Sequence, residues 1–272
     1  MSDVILVVPS TPEAAPALLS TAAHLATLLG GIRLKVLAVA EPIHIGALEA
    51  EAMFMAADAI LAEKRESEAR ITALKAIFKD WTMEGGETAA EARWIEAEGS
   101  AATIVGERGS RADIIVAGQP AADDWLARQV LRAALFGTDR PVLMVPPGWD
   151  EAFGRCVAIA WRDEKQATRA IIPALRCLAA AGRVHVLMGV RESAEHPTMP
   201  RIFPEHGIAA DLHVLPIGAG PLGQMLLDKA HDLGADLFVM GAYAHSPLRE
   251  LVFGGVTRYM LAHADLPVLM RH

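Results

Sequence analysis

The residues best suited to chemistry follow the apolar run Leu237–Met240. They are Gly241, Ala244, His245, Ser246, Arg249, Gly254, Gly255, Val256, Thr257 and Arg258. A glycine where a strand ends lets backbone approach a ligand closely. A Gly-Gly pair opening a helix offers free N–H groups and the positive end of the helix dipole to a phosphate. Thr257 adds a hydroxyl, and His245, Arg249 or Arg258 a cation. The same glycines also suit a tight turn and a helix cap, so a purely structural reading stands beside the functional one. This chemistry holds a phosphate rather than breaking a bond. Ser246 beside His245 has no orienting acid in view, and the chain contains no G-x-S-x-G elbow, HExxH or Walker A sequence. No catalytic residue is expected.

The elements that must position this loop occur twice. Pro141-Val142-Leu143-Met144 returns as Pro267-Val268-Leu269-Met270, and Ala112-Asp113-Ile114-Ile115-Val116 as Ala235-Asp236-Leu237-Phe238-Val239. Pro16-Ala17-Leu18 returns as Pro173-Ala174-Leu175. The offsets are 157 at the early marker, 123 at the middle one and 126 at the last. The first copy therefore carries an added segment, and the charged helical stretch from about Ala47 to Lys79 accounts for it.

Within each copy short apolar runs alternate with helical stretches. In the first they are Val4–Val8, Leu34–Val39, about Ala90–Ile95, Ile114–Val116 and Val142–Val145. In the second they are Cys156–Trp161, Val184–Val190, Ala210–Leu215, Leu237–Met240 and Val268–Met270. This alternation predicts an α/β fold of two doubly wound, parallel, five-stranded sheets, Rossmann-like, in tandem. Pro146-Pro147-Gly148-Trp149-Asp150 reads as the boundary between a domain at 1–146 and one at 151–272.

The second copy resembles a universal stress protein domain, whose mark is G-x2-G-x9-G-[S/T] after the fourth strand. Gly241 and Gly254 keep the spacing, while Ala244 replaces the second glycine and Gly255 the Ser or Thr. The resemblance spans the second domain, and the repeat extends it to the first, giving the tandem form on an adenine nucleotide alpha hydrolase-like fold. It implies ATP or another adenine nucleotide, with Mg²⁺, in the second domain only. Main chain at Gly241, Ala244, His245, Gly254, Gly255, Val256 and Thr257 would hold the phosphates. Arg162 and Asp163 after the first strand and Val190 after the second would frame the base. Arg162 stands where the family has Asp. The first copy departs further, with no acid after Val8, Leu131 where the late glycine belongs, and Asp123-Asp124 opposing a phosphate. It is expected to be a non-binding copy; the long charged helix reads first as a solvated, ion-paired face and second as a cover for that copy's cleft. The resemblance also implies that the Val142 and Val268 strands pair within one chain. A homodimer and unidentified protein partners are further expectations.

Composition narrows the classes. The chain has 272 residues, 53% hydrophobic, with a net charge of -8. That content supports packed cores, and the acidity argues against nucleic acid as a partner. Cys156 and Cys177 lack metal-ligand spacing and fall in apolar runs, as reduced core residues do. His196, His206 and His213 match no zinc motif. The start has an acid and no basic region, and no apolar stretch approaches ~20 residues, so a cytoplasmic protein without a membrane partner is expected. A nucleotide-responsive stress protein acting through partners is the leading reading. An adaptor with vestigial clefts is the alternative, and a hydrolase on the same fold comes third.

Overall fold

The computed structural model describes residues 4–31, 33–41, 50–84, 86–162, 168, 171–190, 197–218, 220–242 and 255–272, with the side chains of 50–59 and 87 excepted. The first half contains β1 (Val4–Val8), α1 (Ala15–Leu28), β2 (Arg33–Ala40), α2 (Ala50–Glu84), α3 (Gly86–Ala90) and β3 (Arg93–Glu98). It continues with α4 (Ala101–Gly109), β4 (Ile114–Gly118), α5 (Trp125–Gly137) and β5 (Val142–Val145). The second half contains β6 (Cys156–Trp161), α6 (Leu175–Ala180), β7 (Arg183–Val190), α7 (Ile202–Glu205) and β8 (Asp211–Pro216). It ends with α8 (Leu222–Asp232), β9 (Leu237–Gly241), α9 (Gly255–His263) and β10 (Val268–Arg271).

The strand order is β3-β2-β1-β4-β5-β10-β9-β6-β7-β8. The two expected five-stranded sheets are thus one ten-stranded sheet, because β5 and β10 pair antiparallel through Val142–Met270, Leu143–Leu269 and Met144–Val268. Within each half the pairing is parallel, and the order 3-2-1-4-5 of the first half is repeated in the second. The central strands are apolar throughout because helices cover both faces; β1, for instance, is buried along its whole length. One core layer packs Leu18, Leu25, Cys177 and Phe203 on one face, and the other packs Val130, Leu135, Leu226 and Met260 on the opposite face. Each layer draws on both halves.

The edge strands differ. β3 (RWIEAE) and β8 (DLHVLP) alternate exposed with half-buried positions in the same order. Their charged residues blunt an open sheet edge. That pattern explains why β3 lies at Arg93–Glu98 rather than Ala90–Ile95: an edge strand is not a continuous apolar run.

The repeat markers have structural duties. Asp113 Oδ2 accepts from the Val4 N–H at 2.7 Å. Asp236 Oδ1 accepts from the Gly154 N–H at 2.7 Å and the Cys156 N–H at 3.2 Å. In both halves the acid before the fourth strand pins the start of the first strand. Helix α1 ends at Gly30 and Gly31, both at positive φ (84° and 89°), where the Gly31 N–H reaches back to Ala26 O at 3.0 Å. The connecting segment is docked: Phe153 is 1% exposed and its carbonyl lies 2.8 Å from His24 Nε2 of α1.

The added segment runs from 41 to 92, against 191 to 210 in the second half. Most of it is α2, a 35-residue helix. Leu74 is its fully buried anchor, with Ile71, Ile77, Phe78 and Trp81 half-buried on the same stripe. Lys75 Nζ pairs with Glu96 of β3 at 2.7 Å. Met53, Phe54 and Met55 lie among residues whose side chains are outside the described set. No described helix is long and apolar enough to cross a membrane.

Candidate functional site

In a doubly wound sheet a ligand sits beyond the carboxyl ends of the strands where the order reverses. In the second half that point lies between β6 and β9. A cavity of about 170 Å³ opens there. Arg162, Gly241, Gly255, Val256 and Thr257 all line it, so five of the sequence candidates converge on one space. Gly241 ends β9 fully buried, held to the sheet by the next residue, whose N–H donates from Ala242 to Arg271 O at 2.8 Å. Thr257 is 2% exposed on the first turn of α9. A Cβ at Gly255 would meet no described atom within 4 Å, so packing does not require a glycine there.

Val190 ends β7, and its carbonyl accepts from Ile217 N–H at 2.8 Å; Gly189, rather than Val190, lines the cavity. Asp163, Ala244, His245, Ser246, Arg249 and Gly254 lie outside the described residues.

Sequence reasoning missed the other walls. Trp161 closes the strand end and meets Phe203 edge-on at 5.6 Å between ring centroids. Leu222 and Leu226 of α8 form the apolar side. A Cβ at Gly189 would lie 2.9 Å from Leu222 Cδ1, so that glycine lets α8 approach. Gly223 does the same between helices, since a Cβ there would lie 2.5 Å from Tyr259 Cβ. The available signal was Gly189 near the end of an apolar run and Gly223 at the start of a helical one.

The first half arranges the same strand ends differently. Arg70 of α2 donates to Ser10 O at 3.1 Å and to Val39 O at 2.7 Å. It thereby ties together the segments leaving β1 and β2. Burial lowers the Arg70 pKa, opposed by the nearby carboxylates of Asp124, Glu41 and Glu66. Asp124 caps α5 by accepting from Ala127 N–H at 2.8 Å, and Glu41 Oε1 accepts from Ala101 N–H at 2.6 Å at the start of α4. The helix starts that would face a phosphate are already served by carboxylates. Arg70 was readable as one turn ahead of Leu74 on the packing stripe, but a charge in such a stripe looks like a solvated face. A cavity of about 470 Å³ lies at the equivalent place in this half, beyond β1 and β4, lined by Ser10, Gly118, Asp123, Asp124 and Pro146–Gly148.

The remaining candidates are placed simply. Cys156 and Cys177 are buried and form no disulfide. Burial raises both thiols, Cys177 to about 11. His213 lies beside His185, and His196 is outside the described residues. Among the described residues no group of three His, Cys, Asp or Glu is placed to hold a metal ion.

Residues 212–272 match the universal stress protein family. That match spans 61 of the 272 residues and lies wholly in the second half. Those residues include α8, β9 and α9, which form one side of the cavity. A universal stress protein from Archaeoglobus fulgidus DSM 4304 has a similar structure, with 14% identity, a TM-score of 0.66 and coverage of 98% of this chain and 97% of that one. A functionally unknown protein from Pseudomonas aeruginosa PAO1 gives 17% identity, a TM-score of 0.60 and coverage of 99% and 92%. A putative universal stress protein from Pseudomonas aeruginosa UCBPP-PA14 gives 16% identity, a TM-score of 0.61 and coverage of 99% and 93%. At such identities the likeness shows the fold, which extends over both halves. No curated protein matches the chain. The universal stress protein fold thus occurs here in its tandem, two-domain form.

Proposed function

We propose that this tandem universal stress protein binds an adenine nucleotide, ATP being the reference ligand, in the second half only. The observation that carries the reading is the convergence of Arg162, Gly241, Gly255, Val256 and Thr257 on one cavity at the start of α9. An N-terminal helix turn supplies N–H groups and a positive dipole end, and Thr257 a hydroxyl, for the phosphates, while Arg162 stands on the side of the base. Trp161, Leu222 and Leu226 supply apolar surface of the kind that packs against a base. Mg²⁺ would accompany a triphosphate and neutralise part of its charge, with few protein ligands required. The role in the cytoplasm is regulatory rather than catalytic: binding changes the surface offered to protein partners. The first half contributes structure, because Arg70, Asp124 and Glu41 already occupy the groups a nucleotide would use.

The adaptor alternative, with both clefts vestigial, draws on Ala244 and Gly255 in the motif. Thermal unfolding separates the two. A ligand at 100 times its Kd stabilises by about 2.7 kcal/mol, a rise of several degrees in a chain of this size. The nucleotide reading expects that rise with millimolar MgATP and its loss in Gly255→Leu, whose own midpoint stays near that of the parent. No rise in the parent protein favours the adaptor.

A further inference from the structure

We propose that His185, through its contact with His213, makes the β7–β8 edge of the sheet acid-sensitive, so that β8 loosens from β7 as protons are taken up there below neutral pH. His185 sits in β7 and is 5% exposed. Its neighbours on β8 are Asp211, its register partner, and His213, the partner of Leu187 two residues on. Alternation puts all three side chains on one face. His213 Nε2 lies 3.1 Å from His185 Nδ1, with the ring planes inclined at 63°.

That contact is a hydrogen bond only while the two facing nitrogens share a single proton. With both nitrogens protonated, N–H faces N–H and two positive charges adjoin at the same distance. The other edge of His185 gives no relief, since Nε2 is buried without a partner among the described residues. The charged groups facing His185 are Arg183 on its own strand, Asp211 and His213 on β8, and Lys229 on α8. Its register partner on β6 is Ala158, which does not titrate. Asp211 alone favours the cation, from 3.6 Å, but its side chain is 78% exposed and its attraction is screened by water.

Burial, then His213, Arg183 and Lys229, holds the His185 imidazole below the ordinary histidine range. A folded-state value below the unfolded one means that unfolding takes up a proton. The stabilisation is present above about pH 6.5, the unfolded value, and is lost as the pH falls from there toward the folded value. Local opening follows the same rule as global unfolding. β8 is the first element to respond because it is the terminal strand of the sheet and pairs with β7 alone. The proposal concerns this edge and holds whatever the second-half cavity binds.

Amide hydrogen exchange tests it. Protection of residues 211–216 is compared at pH 7.5 and 5.5, after correction for intrinsic exchange and relative to the central strand β10. The parent chain is expected to lose protection in β8 by up to about tenfold, the most that one histidine with an unfolded value near 6.5 can give over this range. His185→Phe, which fills the buried site without titrating, removes that pH dependence. His213→Gln, at a half-buried position, reduces it, since the burial of His185 remains, and carries the test alone where His185→Phe does not fold. Constant protection in the parent chain, or equal pH dependence in the variant that folds, overturns the proposal.

Discussion

Leu143 of β5 and Leu269 of β10 are register partners across the antiparallel junction, and they are also the same position of the repeated PVLM sequence. A strand that meets its own copy antiparallel at an equivalent residue obeys a local two-fold. The junction is buried: Leu143 is 1% and Leu269 2% exposed. The two halves are therefore joined through one continuous sheet as well as by the covalent segment Pro146–Arg155.

The junction predicts coupled unfolding. Leu269→Asp places an unpaired charge in the shared core, so both halves should lose stability by at least about 3 kcal/mol. Exchange protection measured in β1 and β6 checks this. A loss confined to β6 would show that the halves are energetically independent.

Arg70 holds two carbonyls, Ser10 O and Val39 O. Arg70→Met leaves them without this donor and should cost about 1–3 kcal/mol, read as a lower thermal midpoint and faster exchange at the carboxyl ends of β1 and β2. Nucleotide affinity of the second half should stay unchanged. A variant as stable as the parent protein would remove Arg70 from its structural role.

Much of this was legible from residues. The PVLM and AD-x-x-V repeats located the strands because central parallel strands are apolar throughout, and Gly241 with Gly255 located the cavity. The apolar pattern alone does not distinguish one sheet from two; the pairing of the Val142 and Val268 strands came only as an implication of the family resemblance. Arg70 and His185 were not legible. Each is polar in a packed setting, and only the fold reveals whether a charged or titratable side chain on such a stripe meets carbonyls, another ring or water. The charges of β3 mask an edge strand, which is why the apolar pattern puts it too early.

Gly223 predicts a steric dependence. A Cβ there lies 2.5 Å from Tyr259 Cβ, which is no flexible tip, so α8 and α9 must move apart. Gly223→Ala should lower stability by about 1–3 kcal/mol and weaken any ligand at the start of α9. Denaturant unfolding with a parallel ligand titration checks both; a neutral substitution would mean the helices separate freely.

Cys156 and Cys177 predict chemical silence. Burial raises both thiols, Cys177 to about 11, so little thiolate exists at neutral pH. A thiol reagent should modify neither in the folded chain and both in denaturant. Rapid labelling of the native protein would contradict the burial.

The central claim is that one half binds nucleotide and the other does not. Calorimetric titration of the full chain with MgATP addresses it directly. One site per chain is predicted, abolished by Gly255→Leu and retained in Arg70→Met. Two sites per chain, or no binding heat at millimolar nucleotide together with no thermal shift, would contradict it.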